Sequence, residues 1–380
     1  MAKKAYIGVS SKARKVKKIY IGVSGKARKV KKGYIGVGGK ARLFFSGSGE
    51  VAKYNVMTIV GRGFLAATHV GNYAIFGGGN GGDSTADGFN TSLTYFKYEN
   101  LSYGRAALAA TTVGGYALFG GGSTSGRYGG PRDYVDHYDQ YRTHGYMLSG
   151  YGLSEEREEL AATTVGSYAL FGGGDGNSSL CNTVDSYNGS LTHGTTGDLV
   201  YPRQKLAATT VGSYALFGGG CNHNSTGYSY MDAYNSSLTK NTSVSSLSYS
   251  ACSLAATHVG NYAIFAGGGN DGYSTYKTVN AYNSSLTRSI VSDLSVSRTS
   301  LAATAIGEFA LFGGGGSCYT GGSGNTYKAN VDTYDTSLTK GVAGDLIDAR
   351  TQLAATTVGN YAIFGGGYVG SVRADIYTVA

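Results

Sequence analysis

Leu206-Ala207-Ala208-Thr209-Thr210-Val211-Gly212-Ser213-Tyr214-Ala215-Leu216-Phe217-Gly218-Gly219-Gly220 is one of seven versions of the same phrase in this chain. The opening leucines are Leu65, Leu108, Leu160, Leu206, Leu254, Leu301 and Leu353, spaced by 43, 52, 46, 48, 47 and 52 residues. Self-similarity at this period marks an array of one supersecondary unit, and the drifting spacing implies a constant strand framework joined by loops of varying length. Leu206 to Val211 reads as one short strand and Tyr214 to Phe217 as a second, split by the Gly212-Ser213 turn. After the glycines come a polar loop, a third strand around Asp232 to Tyr234, a tight Asn235-Ser236-Ser237 turn and a fourth strand from Leu238. Four strands in about 47 residues is the content of one propeller blade.

The first two strands are apolar on both faces, which predicts sheets stacked face to face with no solvent side. The small Ala207, Ala208 and Ala215 suit the crowded inner part of a blade. The predicted fold is therefore all-β, a seven-bladed propeller over residues 51–380, preceded by a basic arm (1–45) and a linker (46–50). The last repeat supplies only three strands, ending in Asp375-Ile376-Tyr377. Val51 to Thr58 lies where every later unit has its fourth strand, so it is expected to complete the seventh blade and close the ring.

Two charges keep time with the repeat. Arginine precedes the leucine by three at Arg62, Arg105, Arg157, Arg203, Arg298 and Arg350; aspartate recurs in the third strand at Asp87, Asp136, Asp185, Asp232, Asp332 and Asp375. The fifth copy loses both, with Ala251 and Asn280 in their places. Joint loss predicts that each Arg pairs with the Asp of its own blade as a structural fastener. The glycine runs predict backbone at positive φ or in close approach. No Gly-Lys-Ser/Thr follows any of them, which excludes a P-loop.

Arg203, the apolar strand from Leu206, Gly218 to Gly220 and Asp232 to Tyr234, repeated over residues 51–380, together resemble a kelch propeller. The chain departs from that pattern in having no tryptophan. Leu191, Leu238, Leu286 and Leu338 are expected to fill the packing site that tryptophan occupies. The resemblance implies an architecture and settles no activity.

Residues 1–45 carry a second repeat of period 14, Lys3 to Val16, Lys17 to Val30 and Lys31 to Phe45, each unit able to form a small hairpin. With 11 Lys, 3 Arg and no acid, the arm holds +14; the remainder carries 18 minus 23, or −5, so the net +9 belongs wholly to the arm. Such a segment suits an acidic protein, an anionic surface or nucleic acid. Nucleic acid is disfavoured because no recognition module accompanies the charge, and an assembly segment that orders against a partner is preferred. The tandem Lys-Lys-x-Tyr-Ile-Gly-Val-x-Gly-Lys-Ala-Arg units resemble N-terminal segments of virion and tail-associated proteins in phages of Gram-positive bacteria. That resemblance implies docking on other virion proteins through Lys3, Lys4, Tyr6, Lys17, Lys18, Tyr20, Lys31, Lys32 and Tyr34, and a location in the virion after assembly in host cytoplasm. No apolar run approaches membrane-spanning length and no signal-like apolar region is evident, so no membrane insertion is expected.

In a four-stranded blade the turns between strands one and two and between three and four share a face, and here both are short and uniform. The opposite face carries loops whose length, from last glycine to third-strand aromatic, varies between 10 and 19 residues. They are rich in Tyr, Ser, Gly and Asn, a composition that binds well at modest entropic cost. Tyr128, Tyr134, Tyr228, Tyr230, Tyr273, Tyr276, Tyr319 and Tyr327 are the candidate ligand contacts, with a host-surface glycan as the expected ligand. A purely structural decoration or connector protein is the main alternative and a polysaccharide-degrading enzyme the second; a homo-oligomer stays open.

Catalytic signals are weak. His69, His137, His144, His193, His223 and His258 lack metal-ligand spacing, and His69 and His258 take a repeat position held by threonine in four other copies. Glu155, Glu156, Glu158 and Glu159 read as a solvated loop. Cys181, Cys221, Cys252 and Cys318 fall in separate blades without a Cys-x-x-Cys, and are expected to be free thiols. No catalytic residue, metal or cofactor is expected.

Overall fold

The computed structural model describes residues 50–124, 129–148, 150–270, 274–317, 326–368 and 372–379 with their side chains, and the backbone of six strands among residues 1–49. Residues 51–379 form seven four-stranded antiparallel sheets, six of them with their strands in sequence order from the inside outward and the seventh ending on Val51–Thr58. Blade four is representative: Ala207–Val211, Tyr214–Gly218, Met231–Asn235 and Lys240–Asn241. Each innermost strand neighbours that of the next blade, and blade seven neighbours blade one.

Closure follows the expected route. Val51–Thr58 pairs antiparallel with Arg373–Val379, outside Tyr361–Gly365 and Ala354–Val358, with a register shift between Ile376 and Tyr377. The seventh blade is thus assembled from both ends of the propeller. In the arm, Tyr6–Val9 pairs with Lys12–Lys15, Tyr20–Val23 with Lys26–Lys29, and Lys32–Val37 with Lys40–Ser46, one hairpin per 14-residue unit.

The core lies between blades. Seven apolar clusters each join two neighbouring blades, the last uniting blade seven with Phe76 and Phe89 of blade one. At each centre is the second-strand phenylalanine: Phe76, Phe119, Phe171, Phe217, Phe265, Phe312 or Phe364, all at 0% exposure. Burying each stabilises by about 1.5–3 kcal/mol. The first glycine of a run makes room for the next blade's phenylalanine: a Cβ at Gly172 would lie 2.9 Å from Phe217 Cε1. The second glycine is needed for two reasons. Gly219 has φ +69°, and a Cβ there would lie 2.7 Å from the Ala251 carbonyl of the next blade.

In the six blades that carry them, the Arg and Asp meet. Arg62–Asp87 closes to 2.6 Å, Arg105–Asp136 to 2.5 Å, Arg203–Asp232 to 2.8 Å, Arg298–Asp332 to 2.8 Å and Arg350–Asp375 to 2.7 Å, and Arg157 bonds Asp185 directly. Every pair is buried. Arg203 also donates to the Gly219, Tyr201 and Phe217 carbonyls, so it ties the first strand to the glycine run. The aspartate carries further partners that the repeat does not advertise. The linker arriving from the preceding blade donates an N–H, as from Val200 to Asp232, and the fourth strand supplies Lys240, His144, His193, Lys340 or Lys53. His144 and His193 are thereby accounted for as structural groups. In blade five Asn280 keeps the linker N–H, from Ser248, while the Tyr249 hydroxyl donates to the Gly267 and Thr278 carbonyls where a guanidinium would reach. A neutral phenol and amide replace the ion pair.

Two local expectations change. The innermost strand is not buried on both faces: Ala66, Thr68 and Val70 are buried while Ala67 and His69 face the central channel. Small Ala and Thr side chains recur there because seven strands converge on one axis. The fourth strand of blade four begins at Lys240 rather than Leu238. Leu238, like Leu93, Leu191, Leu286 and Leu338, sits at φ near +60° in the turn. The Asn235 carboxamide accepts the N–H groups of Ser237 and Thr239 and holds that turn. Leu238 packs on the blade three–four cluster, and that burial offsets a left-handed conformation costing about 1–2 kcal/mol.

Candidate functional site: the long-loop face and the channel mouth

The residue immediately before each Leu-Ala-Ala-Thr carries the geometry of this face. Phe64, Ala107, Glu159, Lys205, Ser253, Ser300 and Gln352 all lie at φ between +52° and +57°. Each N–H donates to the equivalent carbonyl of the preceding blade: Ala107 to Phe64, Glu159 to Ala107, and so on until Gln352 to Ser300 and Phe64 to Gln352. The result is a closed ring of seven backbone hydrogen bonds of 2.8–3.0 Å around the channel axis. Left-handed non-glycine residues are costly and persist where the surroundings over-determine them; here the ring does so. The backbone groups are consumed by the ring, so the side chains alone distinguish one position from the next.

These seven side chains line a cavity of about 690 Å³ at the channel mouth, with Tyr327, Tyr368, Ser225 and Cys252 above and between them. Glu159 Oε2 lies 3.3 Å from Lys205 Nζ. Burial pushes the Glu159 carboxyl up, partly opposed by the Lys205 charge; burial alone would lower the Lys205 ammonium, but Glu159 outweighs it and raises it. Glu159 is therefore part of the mouth rather than of a solvated acidic loop. Its neighbours are dispersed: Glu155 approaches Arg157 at 3.4 Å, Glu156 accepts from Asn177, and Glu158 accepts from Ser123.

Around the rim, tyrosines come together in groups. Tyr134 packs against Tyr103 (ring centroids 4.9 Å), Tyr276 against Tyr249 (5.3 Å) and Tyr327 against Tyr368 (6.5 Å). Tyr230 stacks on Tyr201 at 4.3 Å and meets Tyr228 at 5.4 Å. Of the eight tyrosines expected to contact ligand, Tyr128, Tyr273 and Tyr319 lie outside the described residues, as do the side chains of the nine arm residues. Tyr327 reaches the mouth; Tyr134, the Tyr228–Tyr230 pair and Tyr276 stand at three separate points of the rim. Their partners were legible in principle, because Tyr103 and Tyr201 precede the repeat arginine by two residues and Tyr249 holds the same register before Ala251. The mouth position also had a signal: between the repeat arginine and leucine it varies freely, as Phe, Ala, Glu, Lys, Ser and Gln.

Deeper in the channel, His69 and His258 line a second space with Thr304, Thr356 and Thr357. Burial lowers both imidazole pKa values below the ordinary 6.5. Among the described residues no group of three or more His, Cys, Asp or Glu side chains could hold a metal ion. Cys181, Cys221 and Cys252 are buried free thiols, and burial pushes the Cys181 thiol up to about 12, away from reactive thiolate; Cys318 lies outside the described residues. No protein-family profile matches the chain, and no curated protein matches it at a significant level.

Proposed function

We propose that this is a non-enzymatic virion protein whose basic arm docks on other virion proteins and whose propeller presents its long-loop face to a host-surface glycan. The observation that carries the reading is the opposition of the two ends. Val51 pairs with Val379 at the edge where the third strand of blade seven finishes, so the chain leaves the propeller toward the arm on the face of short, uniform turns. The channel mouth and the grouped tyrosines occupy the other face. An anchor on one side and an aromatic, hydroxyl-rich surface on the other is the layout an adhesin requires, since aromatic faces stack on sugar rings while phenols and hydroxyls bond their polar edges. The phage-like arm units support the virion part of this assignment by resemblance.

Electron microscopy of particles labelled at residue 1 tests the anchor. Label at one defined part of the virion is expected; label that stays with host debris and is absent from particles defeats the reading. A glycan array probed with the whole chain tests the other end. A connector protein gives no specific spots, and an enzyme of polysaccharide breakdown releases new reducing ends.

A further inference from the structure

We infer that the channel mouth is a single binding site for the terminal residue of a neutral glycan, a hexopyranose that stacks on one wall and hydrogen-bonds to the other. The inference rests on the glycan reading above and gives it a place and a stoichiometry. Three observations lead to it. The cavity, at about 690 Å³, lies within the roughly 300–1,000 Å³ typical of small-ligand sites. Its wall is two-faced. Phe64, 36% exposed, and Tyr368, 49% exposed, stand with Tyr327 on the blade six–seven–one side. Glu159 and Lys205 belong to blades three and four, across the seven-membered ring from Gln352, with Ser253 and Ser300 following Lys205 around the ring. A sugar ring has the matching character, an apolar C–H face and hydroxyls at its edge. Finally, the charged wall is self-neutralised by the Glu159–Lys205 pair, so it offers acceptor and donor to hydroxyls without selecting an anion or a cation.

The ring geometry adds a constraint. All seven backbone N–H groups and carbonyls are engaged in the closed ring, and protein surrounds the axis on every side. A chain end can enter such a mouth, whereas an internal stretch of polysaccharide lies across an open groove. There is one mouth per propeller but three tyrosine groups on the rim away from it, so stoichiometry separates them.

The test uses the full chain, with a glycan array followed by calorimetric titration of the best-bound neutral glycan and of the methyl glycosides of glucose, galactose and N-acetylglucosamine. The mouth variants are Phe64→Ser and the double Glu159→Ser/Lys205→Ser. Serine already occupies this ring position at φ +52° in Ser253 and Ser300, so both are expected to keep the wild-type melting curve. The rim variant is Tyr201→Ala/Tyr228→Ala/Tyr230→Ala. The inference expects one ligand per chain, competition by the methyl glycoside of the terminal sugar, at least tenfold weaker binding in each mouth variant and less than threefold change in the rim variant. Wild-type binding that survives both mouth changes but is lost with the rim tyrosines, or that saturates at several ligands per chain, overturns the mouth while leaving the glycan reading in place. Absence of binding to any glycan by the wild type overturns both.

Discussion

Replacing Arg203 with alanine removes four hydrogen bonds at once: to Gly219 O at 2.7 Å, Tyr201 O at 3.1 Å, Phe217 O at 3.2 Å and Asp232 Oδ2 at 2.8 Å. Asp232 stays buried, with only Lys240 at 2.8 Å and the Val200 N–H to hold its charge. Removing one partner of a buried ion pair costs about 3–5 kcal/mol, chiefly because the other charge is left without compensation. Asp232→Asn is expected to cost a similar amount, since it strands the guanidinium. The double variant is different, because blade five already lives without the pair. There Ala251 and Asn280 replace both charges and the Tyr249 hydroxyl bonds the Gly267 and Thr278 carbonyls at 2.8 and 3.1 Å. Tyr201 holds the register of Tyr249, so in Arg203→Ala/Asp232→Asn its phenol can turn from its stack on Tyr230 to the carbonyls that Arg203 released. The double variant is therefore expected to lose about 2–4 kcal/mol less than the sum of the singles, and Tyr201→Phe added to it is expected to remove the rescue. Urea unfolding followed by circular dichroism gives the four corners of the cycle. Additivity within about 0.5 kcal/mol would show that the two charges are not coupled and refute the fastener argument.

Deleting residues 1–58 is expected to lower the melting temperature sharply relative to deleting 1–50, since only the former strips the outer strand and the Lys53–Asp375 contact from blade seven; equal melting curves reject ring closure. Gly219→Ala is expected to destabilise by more than about 2 kcal/mol, combining positive φ with a clash on backbone. Gly218→Ala is expected to be far milder, because the added Cβ meets Met231 Cε and Phe265 Cε1, movable side-chain atoms, and Ala266 already stands in that register; equal losses on urea titration contradict this. Burial pushes the Asp136 and Asp185 carboxyls up, but the hydrogen bonds from His144 and His193 and the charges of Arg105 and Arg157 outweigh it and hold both below the ordinary 3.8. The stability they contribute is complete above that value and is lost as pH falls through the lower folded-state pKa values, so melting temperature should drop as pH is taken below the ordinary carboxylate range, and a flat acid profile speaks against the assignment.

Most of the framework was legible because the repeat forces it. Seven copies of Leu-Ala-Ala-Thr, each with an aromatic and glycines at constant offset, leave no alternative to seven equivalent sheets, and a count of strands alone assigns Val51 to Thr58 to the last blade. The Arg–Asp pairing could be read because one copy loses both residues together, a correlation internal to a single sequence. What chain order could not supply was the environment each blade creates for its neighbour. The fourth-strand groups on the aspartates stand at a constant eight residues, as His144, His193, Lys240 and Lys340, but their residue type changes from blade to blade, and the linker N–H groups come from the preceding blade at offsets that vary with loop length. Tyr249 is an ordinary loop tyrosine until the space vacated at Ala251 is seen.

The candidate site shows the same division most clearly. The tyrosines were chosen by composition, yet folding disperses them around the rim. Phe64, Glu159, Lys205 and Gln352 stand far apart in sequence and inside a phrase whose constancy draws attention elsewhere; sevenfold closure brings them to one axis, where a ring of hydrogen bonds fixes their backbones and leaves their side chains free to differ. The sequence by itself determined the blade, its number and its fasteners, because those depend on local pattern repeated at a period. Only the tertiary structure decided which residues share the mouth, because that follows from closing the circle, an interaction between segments that no local pattern records.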